Sequence, residues 1–261
     1  MKSLSIAATG MLAQQMNVEV ISNNIANMNT TGFKRQRAEF QDLLYQNIER
    51  MGSSTSDAGN ILPTGIQIGA GVKAGSVYRI GDQGNMASTE NPYDLAIEGQ
   101  GYFRVLLPSG QEAYTRAGAF ALSPQGELVT ADGYIVQPGI TIPQNTVDVS
   151  ISKSGEVQAI ISGQTTPQVV GQLELATFFN NAGLEAVGDN LFVESAASGT
   201  ATTGTPGSTG FGTVLQGFLE TSNVNAVSEI TQLITAQRAY EMNAKVITAS
   251  DEMLQTTSNL R

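Results

Sequence analysis

Both ends of the chain carry residues at a spacing of seven, a pattern that strongly limits how they can fold. The N-terminal stretch repeats at Leu4, Met11, Val18 and Ile25, followed three residues later by Ala7, Gln14, Ile21 and Met28. The C-terminal stretch repeats at Ala226, Leu233, Tyr240, Ile247 and Leu254, with Ile230, Gln237, Ala244 and Asp251 three residues before the later members. Such heptads are typical of coiled-coil seams. We therefore predict two terminal helices with the packing residues Leu4, Met11, Val18, Ile21, Ile25, Met28, Ile230, Leu233, Tyr240, Ile247 and Leu254.

The N-terminal heptad stretch is poor in charge. From residue 1 to residue 33 the charged side chains are Lys2 and Glu19, and apolar residues such as Leu12 and Met16 also lie outside the seam. A helix that is apolar or merely polar on all sides needs neighbours around most of its surface. We expect identical subunits to supply them, with contacts that propagate into a filament or tube if the symmetry does not close. The alternative is a helical hairpin packed on its own domain.

Between the two helices the period changes to two. The first helix is expected to end at 27–32, where Gly32 can take the left-handed cap conformation. Strand-like stretches lie at 76–80, 102–107, 112–116, 134–137, 147–151, 157–161, 169–178 and 191–194, separated by turn-forming residues. These stretches predict an antiparallel β domain. Segment 195–212 contains no charged residue and is rich in small residues, which favours a flexible loop.

Two further stretches connect the first helix to the β domain. Residues 38–51 have apolar spacings that permit a short helix, whereas 52–71 is rich in Gly and Ser and predicts a loop or an extended hairpin. The fold class is therefore α+β, with N- and C-terminal coiled-coil-like helices packed together and a central, mainly antiparallel β domain. The expected divisions are an N-terminal helix at 1–33, a connecting segment at 34–71, the β domain at 72–218 and a C-terminal helix at 219–261.

The composition excludes several classes of chemistry. The chain has no histidine and no cysteine, so disulfides, thiolate nucleophiles, imidazole ligands and Ser-His-Asp triads cannot form. A formal charge of −10 argues against a nucleic-acid partner. We predict no catalytic residue, no metal ligand, no cofactor and no small-molecule substrate. The first residues hold one lysine and no sustained apolar core, so a cleavable secretory signal is not expected.

Two weak motifs leave other functions open. Residues 69–74 follow the Gly-x-Gly-x-x-Ala pattern of a dinucleotide site, but strand-like residues come next where that site needs a helix. Glu90, Asp94 and Glu98 are candidates for a glycosidase pair acting on cell-wall sugar, although solvated surface carboxylates are the simpler explanation. A carboxylate-dependent hydrolase is thus one alternative function. An adhesin-like β module with helical stalks is another.

Four motifs in order along the chain resemble bacterial flagellar rod, hook and hook-associated axial proteins. They are SNNIANMNTTGFKR at 22–35, NPYDLAIEGQGYF at 91–103, YTRAGAF at 114–120, and SNVNAV with LITAQRAYE at 222–227 and 233–241. The length and segment 45–69, with an insertion at about 46–69, resemble the distal-rod members of that family. The proximal rod and hook members are the alternative within it.

The resemblance implies a non-enzymatic subunit of a periplasmic drive shaft. The terminal helices would pack coaxially around a secretion channel, the β domain would lie outside, and the insertion would stiffen the tube. Other copies of the chain would be the main partner. The resemblance also implies contact with proximal rod proteins, the hook protein, the L- and P-ring bushing and the rod cap. Export would use the flagellar type III apparatus.

Overall fold

A computed structural model describes residues 2–49, 51, 64–164 and 166–259, which form two compact units. The helical unit draws on residues 1–25, 36–78 and 226–261, and the β unit on residues 26–35 and 79–225. The helical unit contains α1 (Lys2–Ala26), β1 (Gln36–Asp42), β2 (Tyr45–Glu49), β3 (Ile66–Gly69), β4 (Val72–Arg79) and α2 (Ala226–Asn259). The predicted order of helix, β region and helix is confirmed.

The two helices end where the sequence changes its backbone preference. Gly32 has a φ of 69°, the left-handed value expected beyond the end of α1. Its position is crowded as well, since an added Cβ would lie 2.8 Å from the backbone nitrogen of Ala117. The start of α2 differs from the predicted position 219. Residues Phe218–Glu220 are a strand, so the helix begins only at Ala226.

Residues 38–49 and residue 51 are not helical. Residues 36–40 alternate between half-buried and exposed side chains along β1, with Arg37 and Glu39 on the exposed side. This period of two outweighs the helical spacing of the apolar residues beside it. Strand β1 pairs with β4, and β2 pairs antiparallel with β3, Tyr45 lying opposite Gly69. The expected extended hairpin is therefore present at its base, while residues 52–63 lie outside the described part of the chain.

The β unit consists of short antiparallel strands. They are β5 (Met86–Ser88), β6 (Leu95–Glu98), β7 (Tyr102–Leu106), β8 (Glu112–Thr115), β9 (Phe120–Leu122), β10 (Leu128–Thr130), β11 (Ile135–Val136), β12 (Thr146–Ile151), β13 (Glu156–Ile161), β14 (Gln168–Gln172), β15 (Leu175–Thr177), β16 (Glu185–Gly188), β17 (Leu191–Val193), β18 (Thr202–Gly204), β19 (Thr213–Gln216) and β20 (Phe218–Glu220). The main sheet follows the order β16-β17-β8-β7-β11-β10-β9, and β15 joins β7 to β18. Three strands form β12-β13-β14, and β19-β6 and β20-β5 are pairs.

The core of the β unit lies on the inner faces of these strands. Leu95, Ile97, Phe103 and Val105 are fully buried in it. The strand predicted at 169–178 is divided in two, because β14 pairs with β13 whereas β15 pairs with β7. Segment 195–212 is also more regular than predicted, since it contains strand β18 and the buried Ser198.

Candidate assembly surface

Helices α1 and α2 contact each other through polar and small side chains. The Asn24 amide donates to the Glu229 carboxylate at 3.1 Å. The Asn243 side chain lies so close to Gly10 that an added Cβ would be 2.9 Å from its nitrogen. Near the other end, Ser250 and Ser3 are hydrogen-bonded at 3.3 Å. The partners run in opposite directions along the chain, so the two helices lie antiparallel.

Asn24 also fixes the strand that follows α1. Its amide nitrogen donates to the Gln36 carbonyl at 2.8 Å, and its carbonyl oxygen accepts from the Gln36 backbone nitrogen at 2.8 Å. Both Asn24 and Glu229 are almost fully buried. A buried amide with all of these partners is specific in geometry, because any shift leaves polar groups unpaired. Asn24 therefore sets the register between α1, α2 and the start of β1.

These contacts lie beside the predicted seam. Of the predicted packing residues Ile21 is buried, with 2% of its surface exposed. Half-buried positions are Leu4, Met11, Val18, Ile25, Leu233 and Ile247, and exposed positions are Met28, Ile230, Tyr240 and Leu254. The contacting residues of α2, Glu229, Asn243 and Ser250, lie at multiples of seven, and so do their partners in α1, Asn24, Gly10 and Ser3. Buried Ala236 falls on the same spacing. A search for small and polar heptads would have found this line, which apolar patterning missed.

Large apolar side chains remain on the outer faces of both helices. On α2, Val227, Ile230 and Ile234 form a line that we name the outer stripe, and Val227 is 75% exposed. On α1, Leu12 is 66% exposed. It lies in a groove of about 580 Å³ that also borders Met16, Leu43 and the β4 residues Val72 and Ala74, which we name the outer groove. Contiguous apolar surface of this kind marks an interaction site.

A buried charge cluster joins three of the sequence motifs inside the β unit. Lys34 donates to one Glu220 carboxylate oxygen at 2.5 Å, and Arg116 donates to the other at 2.5 Å. The remaining Arg116 nitrogens donate to the carbonyl oxygens of Gly101, Ile97 and Gly99 at 2.5 to 2.8 Å. The backbone nitrogen of Gly84 adds a hydrogen bond to Glu220 at 2.9 Å.

The cluster holds one carboxylate between two cations. Burial alone would raise the pKa of Glu220, but the charge of Arg116 and hydrogen bonds from Lys34, Arg116 and Gly84 outweigh it and hold this pKa below its usual value. Burial lowers the pKa of Lys34, and the like charge of Arg116 adds to that effect. Glu220 is therefore ionised wherever the protein is folded near neutral pH. Sequence reasoning missed this cluster because its members are 186 residues apart at the widest.

The three carboxylates considered for a glycosidase pair, Glu90, Asp94 and Glu98, are either exposed or hydrogen-bonded within a turn. Asp94 is buried and accepts from Thr89 at 2.7 Å and from Asn91 at 2.9 Å, which fixes the turn before β6. Glu90 and Glu98 are exposed. The Gly-x-Gly-x-x-Ala pattern runs into strand β4, as expected.

The described residues contain neither a candidate metal site nor a candidate membrane-spanning helix. Across residues 2–49, 51, 64–164 and 166–259, acidic side chains do not gather into groups of three suited to a metal ion. Within the same ranges, neither helix has the length and hydropathy to cross a membrane.

Three family models match successive parts of the chain. Residues 4–34 match the model of flagella basal body rod proteins, which covers most of α1. Residues 96–159 match the D1 domain of the flagellar hook proteins FlgE, FlgF and FlgG. Residues 215–260 match the C-terminal model of the flagellar basal body rod proteins FlgE, FlgF and FlgG, which includes α2.

Curated relatives are similar over the full length. The chain is 67% identical to the flagellar basal-body rod protein FlgG of Caulobacter vibrioides over 100% of both proteins. It is 52% identical to the protein of the same name from Agrobacterium fabrum, covering 99% of this chain and 98% of the relative. The FlgG of Bacillus subtilis is 42% identical, with 100% and 99% covered.

Proposed function

The chain belongs to the FlgG family of flagellar basal-body rod proteins and is a structural subunit of the rod, and we propose that copies of it self-assemble into a rigid helical tube. The observation that carries this proposal is the outer apolar surface of α1 and α2. Val227 and Leu12 are mostly exposed in the single chain, on helices whose mutual contact uses polar and small residues. Other subunits provide the cover that this surface lacks.

The tube acts as a drive shaft between motor and hook, and the coiled-coil packing predicted for the heptads belongs to this assembled state. Residues such as Val18 and Leu233, half-buried in the single chain, then become interface residues. A shaft transmits torque only if contacts between neighbours resist shear. Well-packed apolar interfaces meet this requirement because protein interiors are close-packed and of low compressibility.

The location is the flagellar basal body, where family membership places the chain. We further propose that it lies in the periplasmic rod, surrounds the export channel, and is exported through the flagellar type III apparatus. Its partners in that position are proximal rod proteins, the hook protein, the L- and P-ring bushing and the rod cap. The relatives carry the name of a rod protein, which supports these neighbours.

Within the family, the distal rod is the favoured position. The β2–β3 hairpin supports it, because the segment that resembles a distal-rod insertion leaves the helical unit as a paired ribbon. A paired ribbon presents more fixed contacts to a neighbour than an irregular loop does. A proximal-rod or hook position is the alternative.

Assembly of the purified chain tests the proposal. Sedimentation and electron microscopy of the wild-type protein should show tubes above a threshold concentration. A variant lacking residues 1–30 should stay monomeric with its β unit folded. A wild-type protein that remains monomeric at every concentration would contradict the proposal. Peptidoglycan turnover by that protein would instead support the hydrolase.

A further inference from the structure

The outer groove and the outer stripe lie on opposite sides of the helix pair. Leu12 follows Gly10 by two positions, and consecutive helical residues are about 100° apart, so Leu12 points away from α2. Val227 and Ile234 precede the contact positions Glu229 and Ala236 by two, so they point away from α1 by the same rule. The stripe of one chain therefore cannot enter the groove of the same chain.

The two surfaces match in chemistry. One side of the groove consists of apolar side chains from α1, with Leu12 and Met16 one turn apart. Leu43 and the β4 residue Val72 line the other side. The stripe offers Val227, Ile230 and Ile234 at spacings of three and four, a compact apolar line. Met16 is an adaptable residue, which suits a surface that must accept another helix.

One pair of charges beside the two surfaces is complementary, Glu19 and Arg238, although Lys73 also lines the groove and Glu241 lies one turn beyond Arg238. Glu19 lies at the end of the groove, one turn beyond Met16, and is exposed. Arg238 lies one turn beyond Ile234 and is also exposed. If Ile234 of one copy rests against Met16 of another with the helices parallel, Arg238 comes within reach of Glu19. The antiparallel orientation separates the two charges, so the ion pair selects the parallel one.

We infer that the outer groove of one subunit receives the outer stripe of the next subunit, with Glu19 and Arg238 paired across the contact. This inference rests on the proposed self-assembly and names the surfaces that produce it. Because the two surfaces differ and lie on opposite sides of the unit, the contact is heterologous. Each added subunit leaves one groove and one stripe open, so the contact propagates instead of closing into a dimer.

Cysteine crosslinking tests the pairing directly, since the chain has no cysteine of its own. Leu12→Cys protein is mixed in equal amounts with Ile234→Cys protein, assembled, and treated with a short bismaleimide. The control mixture replaces Ile234→Cys by Met253→Cys, which lies on another side of α2 and is more exposed, at 61% against 44%. We expect the crosslinked heterodimer in the first mixture and its loss in the control. Polymers that crosslink as well or better in the control overturn the inference while leaving self-assembly intact.

A charge exchange provides a second measurement that does not depend on the cysteine variants assembling. Glu19→Arg should raise the threshold concentration for assembly about two- to fivefold, the value of an exposed ion pair. Arg238→Glu alone should do the same, and the two changes together in one chain should restore the wild-type threshold. A double variant that assembles no better than the worse single variant overturns the inference. Failure of the wild-type protein to assemble at all contradicts the proposed function first, and the inference with it.

Discussion

The helical unit and the β unit bury their side chains in different ways. In the β unit, Leu95, Ile97 and Phe103 are completely buried within a single chain. In α1 the buried residues are Ala7, Ala13, Ile21 and Asn24, and in α2 they are Glu229, Ala236 and Ser250, so most are small or polar. Many of the larger apolar residues of the helices, such as Leu12 and Val227, stay exposed. The β unit thus encloses a large apolar core within one chain, whereas the two helices meet mainly through small and polar side chains.

Arg116→Ala in the β unit should have the largest effect on folding. The change removes one of the two cations on buried Glu220, which keeps Lys34 and the Gly84 backbone nitrogen, and it leaves three backbone carbonyl oxygens without the Arg116 donor. Breaking a buried ion pair in this way costs about 3–5 kcal/mol of unfolding free energy. Urea denaturation followed by the near-ultraviolet signal of the β unit measures it.

The control for this change is Lys153→Ala, at an exposed position that engages the unit only through its backbone carbonyl. It should leave the urea midpoint unchanged. Equal stability of Arg116→Ala and wild type would show that the β unit does not depend on its charge cluster, and the contrast between the two units would weaken.

Leu233→Asp and Val18→Asp should have the next largest effect, and only on assembly. Both positions are half-buried in the single chain, and a carboxylate enclosed there by neighbouring subunits costs at least about 2 kcal/mol per subunit. Polymer yield by sedimentation should fall to background, with the urea midpoint of the β unit unchanged. Motile cells carrying either variant as the sole copy would refute the placement of these residues in the interface.

Asn24→Ala should have a smaller effect, within the helical unit alone. The change leaves the Gln36 backbone groups without their side-chain partner and removes a donor to buried Glu229, with an expected loss of about 1–3 kcal/mol. Hydrogen exchange of α1 and α2 amides should accelerate, while exchange in the β unit stays the same. Gln15→Ala, on the exposed side of α1, is the matched control.

The sequence predicted the elements well where one period dominates. Each of three patterns predicted one structure, and each structure is present: the α1 heptad, the alternation at 102–107 and the turn glycine Gly32. It failed at 38–51, where a helical spacing of apolar residues coexists with the alternation of residues 36–40 in β1. Contacts with distant strands decided between them, and such contacts leave no local pattern.

The packing residues were harder to predict than the helices themselves. A heptad search for large apolar side chains selects residues of mixed exposure in the single chain: Ile21 is buried, six others are half-buried and four are exposed. The actual contact line uses Gly10, Asn24 and Asn243, residue types that such a search rejects. Small residues are selected there because they allow close approach, and buried amides because they fix register. The charge cluster of Lys34, Arg116 and Glu220 left no local pattern, because only the fold brings its members together.

The smallest expected effect is the acid dependence that Glu220 adds to the β unit. The folded protein holds the pKa of Glu220 below its usual value, so the unfolded chain binds the proton first as the pH falls. The stabilisation from Glu220 is therefore complete above its unfolded pKa of about 4.3 and is lost as the pH drops through the folded pKa.

Glu220→Gln should be less stable than wild type at neutral pH, and the gap in unfolding free energy between the two proteins should narrow below about pH 4. Urea midpoints of both proteins across the acid range measure the gap, with Glu98→Gln, at an exposed carboxylate, as the control. A constant gap down to the acid limit would mean that the cluster acts through shape rather than charge, and the β unit would then owe its independence to apolar packing alone.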